Sequence, residues 1–123
     1  MKKLLLVIGI ICFASYAYAD KGLESSDVLV PFAYENLTIT STAQSLTSGT
    51  YNPASGKAKR AIMTCDFGSV VRYRNDGTAP TATSGHLLAT GIIVVWAGDT
   101  AIGNASIIIS RATNCPCQVT YER

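Results

Sequence analysis

A single small antiparallel β-sandwich, jelly-roll-like or barrel-like, is what this sequence predicts, and three observations carry the prediction. Strand-like stretches recur roughly every 8–12 residues, with no convincing helical period between them. Several of those stretches alternate apolar and polar residues with period 2, the pattern of a half-buried strand. Between them stand turn-forming clusters, Asn52-Pro53-Ala54-Ser55-Gly56, Asn75-Asp76-Gly77 and Gly98-Asp99, which end strands rather than extend them.

The elements follow in order. Residues 1–19 read as a cleaved export signal. Lys2 and Lys3 form a positive start, residues 4–14 a short apolar run, and Ala17-Tyr18-Ala19 a small-x-small cleavage pattern. The apolar run is shorter than the ~20 residues a membrane span requires. The expected mature chain therefore begins near Asp20, in the periplasm or outside the cell. Residues 20–36 read as an N-terminal arm or edge segment with one apolar patch, Val28-Leu29-Val30-Pro31-Phe32. The sandwich domain is expected over residues 37–123.

Within that domain, Leu37, Ile39 and Ser41 alternate with Thr38 and Thr40, and residues 44–51 offer a further short strand. Ala61, Met63, Cys65 and Phe67 share one strand face, opposite Ile62, Thr64 and Asp66. Val71 and Tyr73 oppose Arg72 and Arg74, and Asn75-Asp76-Gly77 supplies a tight hairpin turn. Residues 92–96 form a continuous apolar strand, residues 102–109 another weakened by Gly103-Asn104, and residues 115–121 the last.

Charge narrows the function classes. The chain carries ten Lys and Arg against eight Asp and Glu. Loss of Lys2 and Lys3 with the signal leaves eight against eight. A near-neutral, dispersed balance supplies neither the basic footprint of a nucleic-acid binder nor a polybasic membrane patch. No nucleic-acid partner is expected, nor any membrane association after signal cleavage.

Cys12 leaves with the signal, and Ile11 before it does not fit a lipid-attachment motif. Cys65, Cys115 and Cys117 remain in a compartment where disulfides persist. Cys115 and Cys117 are two residues apart on one strand, about 6.6 Å at about 3.3 Å per residue, the upper end of disulfide geometry. A structural disulfide through Cys65 is therefore expected, to either Cys115 or Cys117, leaving an odd cysteine to stay free, link a neighbouring chain or bind something else. Reduced, buried cysteines are the plainer alternative. No zinc-type spacing such as CxxC is present, so no metal or cofactor is expected.

Enzyme chemistry finds little support. His86 is the only histidine, and Ser84 is too near it along an extended segment to act as a positioned nucleophile. No phosphate loop, HExxH or GxSxG occurs. A non-catalytic chain is expected. Tyr73 and Trp96, with Tyr34 and Tyr51, are the aromatics available for a sugar-stacking face, although Trp96 ends an apolar strand where core packing is its plainer role.

The stretch Val71-Arg72-Tyr73-Arg74-Asn75-Asp76-Gly77-Thr78-Ala79-Pro80, continuing through Thr81-Ala82-Thr83-Ser84-Gly85-His86-Leu87-Leu88, resembles a recurrent segment of small tailed-phage and prophage structural proteins, of the form VRYRxDGTxPTxxxGHLL. Residues 38–43 resemble their opening strands and residues 117–121 their last. In this motif Arg72 and Arg74 flank a hairpin, Asp76 and Gly77 turn it, and Pro80 and Gly85 shape a rigid return. The resemblance implies a small β-sandwich acting as a head, tail or decoration component, with no catalytic residues. With the export signal, it implies a structural or interaction protein with protein partners, through self-association or attachment to virus particles. The alternative is a periplasmic or extracellular module binding a glycan or another protein.

Overall fold

The computed structural model describes residues 28–66, 70–89, 91–110 and 114–123. The expected export signal, the first part of the expected arm and Phe67 lie outside the described residues.

Eight strands build two four-stranded antiparallel sheets. They are β1 (Pro31–Ile39), β2 (Gln44–Ser45), β3 (Arg60–Cys65), β4 (Val71–Arg74), β5 (His86–Leu88), β6 (Val94–Ala97), β7 (Ser106–Ile109) and β8 (Cys115–Glu122). One sheet has the order β1-β8-β3-β6 and the other β2-β7-β4-β5. Strand β1 pairs with β8, β2 with β7, β3 with β6 and β4 with β5. This nested pairing is one long antiparallel ribbon. Rolling it up adds the lateral pairings β3–β8 and β4–β7. The result is a jelly roll, an architecture of eight strands in two facing sheets.

Period-2 patterning fixes which side faces inward. On β8, Cys115, Cys117, Val119 and Tyr121 are each no more than 1% exposed. Ala61 and Met63 on β3, Val94 and Trp96 on β6, Val71 on β4, and Ile107 and Ile109 on β7 complete the core. The outer face of the first sheet is polar where its strands meet. Arg60 and Glu122, paired in register on β3 and β8, form a salt bridge, and Thr64 donates to Gln118 at 3.4 Å.

One carboxylate breaks the apolar pattern. Glu35 lies opposite Val119 in the β1–β8 register. Its Oε1 accepts hydrogen bonds from the Tyr121 hydroxyl and, at 3.3 Å, from the Thr47 backbone N–H. Burial, followed by the Glu35 contact, pushes the Tyr121 hydroxyl pKa above its ordinary value. Thr47 leads into α1 (Ser48–Tyr51), a single helical turn whose Tyr51 ring lies 6.2 Å from that of Tyr121.

Several expectations are corrected. Strand β1 begins at Pro31 rather than Leu37, because pairing with β8 extends back to Glu122 and the chain beyond it. The arm's second half is thus an edge strand. Residues 44–51 hold only the two-residue β2 before the helical turn. The strand expected over residues 102–109 begins at Ser106. Gly98, at φ 88°, instead admits α2 (Asp99–Gly103), which is pinned by the fully buried Ile102.

Two neighbouring strands of the first sheet are tied covalently at one point. Cys65 and Cys117 face each other in the β3–β8 register and form a disulfide, with Cα atoms 4.0 Å apart. Cys115, two residues earlier on the same face, is a free thiol that is 1% exposed. That burial excludes it from linking neighbouring chains, one of the three fates the sequence left open for the odd cysteine. The bridge spans 52 residues, and closing such a loop is worth about 4 kcal/mol in the chain-entropy model. The double variant Cys65→Ser/Cys117→Ser is expected to lose about that much stability in urea unfolding. A loss under about 1 kcal/mol would show that the bridge is not the fold's main tether.

Candidate functional site

The β4–β5 hairpin and the chain leaving it toward β6 carry most of the residues singled out in the sequence. The turn is wider than expected. Tyr73 pairs with His86, so residues 75–85 form the loop, and Asn75-Asp76-Gly77 begins it rather than closing a tight hairpin.

Arginine side chains hold this loop. Arg72 projects to the outer face and donates from Nε to the Ala82 carbonyl and from Nη1 to the Gly85 carbonyl, each at 3.0 Å. These bonds hold the far limb of the loop against β4. Ile108, opposite Arg72 on β7, is only 8% exposed although it lies outside the core cluster, and the Arg72 stem lies beside it. Arg74 forms a two-point pair with Asp76, with its Nε 3.1 Å from Oδ1. Asp76 Oδ1 also accepts the Thr78 N–H at 3.0 Å, an Asx-type turn. The Arg74 hydrogen bond, then that of Thr78, lowers the Asp76 pKa to about 2.

Pro80 is buried, and Gly85 sits at φ +123°. A Cβ on Gly85 would stand 3.1 Å from both Pro80 Cβ and the Tyr73 carbonyl oxygen. Gly77, at φ +82°, has the Asn104 side chain beside it. All six residues of the expected motif, Arg72, Arg74, Asp76, Gly77, Pro80 and Gly85, thus belong to this one hairpin and its loop. Arg74, Asn75, Asp76, Gly85 and His86 line an open cleft of about 330 Å³.

The aromatics divide. Tyr73 is half-buried, with its ring 5.3 Å from His86 and edge-on to Trp96 at 5.8 Å. Trp96 is 2% exposed, and its Nε1 has no hydrogen-bond partner. Trp96 is therefore a core residue on the inner face of β6, and the sugar-stacking role offered for it in the sequence is withdrawn. The exposed His86 has no hydroxyl or thiol hydrogen-bonded to it among the described residues.

The neighbouring edge is apolar, a feature the sequence reading passed over. Strands β5 and β6 are edge strands of their sheets. Ile92 N–H bonds to the Ala89 carbonyl at 3.1 Å, and the turn so formed leads into β6. Leu88 and Val94 point inward. Leu87, Ile92, Ile93 and Val95 point outward, each more than half exposed. Their signal lay in the run Ile92-Ile93-Val94-Val95-Trp96. Alternation buries only every second residue of such a run when the strand is an edge with one solvated face.

Two outcomes check the loop's construction. Gly85→Ala is expected to destabilise the fold by more than about 1 kcal/mol in urea unfolding, because alanine meets both a strained φ and two close contacts. Asp76 has a lowered pKa, so its contribution is present above the ordinary carboxylate value of about 4 and is lost as pH falls through about 2. The Thr78 amide resonance should hold its position on acidification to pH 3 and shift with a midpoint near 2. A midpoint near the ordinary value of about 4 would show that the Arg74–Asp76 contact does not persist in solution.

No family model, no curated protein and no solved structure matches this chain.

Proposed function

We propose that this chain is an exported, non-catalytic structural or interaction protein of the virion-associated kind, which works through the apolar edge formed by β5, β6 and the turn between them. The observation that carries the reading is the exposure of Leu87, Ile92, Ile93 and Val95, on two edge strands and the turn that joins them. Clustered exposed apolar residues mark protein contact sites, and an open edge strand without a charged residue is a template for pairing with another chain. Strand β6, Val94-Val95-Trp96-Ala97, carries no charge. The jelly roll supports the reading at the level of fold alone, since viral capsid and lectin domains share that architecture.

The polar cleft at Arg74, Asn75, Asp76 and His86 favours a second reading, a glycan-binding module. Carboxylate, amide and guanidinium groups at an open rim suit a hydroxyl-rich ligand, and Tyr73 is the one aromatic of the expected pair that lies nearby, against His86.

The test is fractionation of particles, envelope and medium from producing cells, with the chain quantified by mass spectrometry. Stoichiometric recovery on particles, lost in Val95→Glu, is the expected result. Val95 is more than half exposed, so that substitution should alter stability by no more than about 0.5 kcal/mol. Recovery only in the free fraction would overturn the virion reading. Saturable glycan binding abolished by Asp76→Ala would put the binding module in its place.

A further inference from the structure

Cys65, Cys115 and Cys117 form a cluster of three sulfurs, all within 4.8 Å of one another. Spacing along the chain argues against such a site, because metal-binding cysteines are usually recognised by spacings such as CxxC in turns. Here a strand pair does the work. Register places Cys65 directly opposite Cys117, and the two-residue step from Cys117 to Cys115 returns the side chain to the same face. The disulfide accounts for two of the sulfurs and leaves unexplained why a third, wholly enclosed thiol faces it.

We propose that, before the disulfide forms or after it is reduced, these three cysteines bind one divalent thiophilic cation of the zinc class, so that the bridge and the metal complex are alternative closures of the same site. The geometry fits. Zinc–sulfur bonds of about 2.3 Å set three trigonally placed sulfurs about 4 Å apart, inside the observed 4.8 Å limit. Once the disulfide is open, side-chain rotation can separate Cys65 and Cys117 to that distance, with β3 and β8 still paired.

The ligand type selects the metal. Thiolates favour zinc and monovalent copper over hard cations. Three thiolates leave a net charge of −1 around a divalent ion and −2 around a monovalent one. Cys115 and Cys117 are at most 1% exposed, and charge in such a place is costly. The divalent ion is therefore preferred. Binding converts three thiols and one cation into a tris-thiolate complex and releases three protons to solvent. One of them is the Cys115 thiol proton, which now faces the Asp66 carbonyl oxygen at a sulfur–oxygen distance of 3.5 Å. Cys65, the more open of the three, marks the side from which a water can fill the fourth position.

The experiment is a cadmium titration of the purified chain, since cadmium stands in for zinc and its thiolate complexes absorb in the ultraviolet. A phosphine with water reduces the disulfide to two thiols and becomes the phosphine oxide, adding no competing thiol. One equivalent of cadmium per chain should bind, and bound zinc should be displaced by it, while the oxidised chain should show no such band. Cys115→Ser should lower the band by about a third and weaken binding more than about a hundredfold, beyond the roughly 10- to 100-fold that loss of a secondary contact costs. If reduction alone unfolds the chain, cadmium should restore the β-type far-ultraviolet circular dichroism, because metal binding then supplies folding energy. Absence of both the band and this recovery overturns the proposal. So does a Cys115→Ser variant that binds as the wild type does, which would leave only an opened dithiol.

Discussion

Everything else in this molecule depends on the pairing of β3 with β8. The ribbon pairings β1–β8, β2–β7, β3–β6 and β4–β5 would by themselves make a long, open, twisted band with one apolar face exposed. Only when β3 meets β8, and β4 meets β7, does that face close upon itself. The disulfide sits on this closing contact rather than on a ribbon pairing. It therefore restrains the step that creates the core.

Strand β8 shows how much one strand can contribute. Its inward residues Cys115, Cys117, Val119 and Tyr121 touch both the β1 and β3 sides of the sheet. Its outward residues make the polar contacts, with Glu122 pairing to Arg60 and Gln118 accepting from Thr64. The inward carboxylate of Glu35 is accommodated because the Tyr121 hydroxyl and the Thr47 N–H both reach it, as a buried polar group requires. The cost of one acidic residue facing the core is offset by the anchoring of α1 over that end of the sandwich.

The fold class was legible because its signal is local. Ala61 and Met63 against Ile62 and Thr64, or Val71 and Tyr73 against Arg72 and Arg74, announce a strand and its faces within a few residues. What was not legible depends on distant partners. Pro31 to Asn36 reads as an arm because nothing nearby shows that β8 will pair with it. Ile102 and Gly103 read as the start of a strand because a single buried isoleucine in a helical turn leaves no period. The site divides in the same way. The loop residues from Arg72 to Gly85 stood out as a motif, yet the two carbonyls held by Arg72 are fixed only by the loop's return. The apolar rim was hidden because Ile92, Ile93 and Val95 read as core until β6 is known to be an edge. Trp96 takes the core-packing role that its place at the end of an apolar run made the plainer one, with Tyr73 edge-on to it.

The nested pairing also sets an order of assembly. The β4–β5 hairpin is the pairing closest in sequence, and once it exists the ends of β3 and β6 are already neighbours. Each further pair then closes a short gap instead of a long one, so the ribbon can zip outward from residues 75–85 at modest entropic cost at every step. Rolling comes afterwards, because β3 has no lateral partner until β8 is available. A chain built this way keeps its core open until late. That core closes only when β8 reaches β3, and the arrival of Cys117 opposite Cys65 makes the closure covalent.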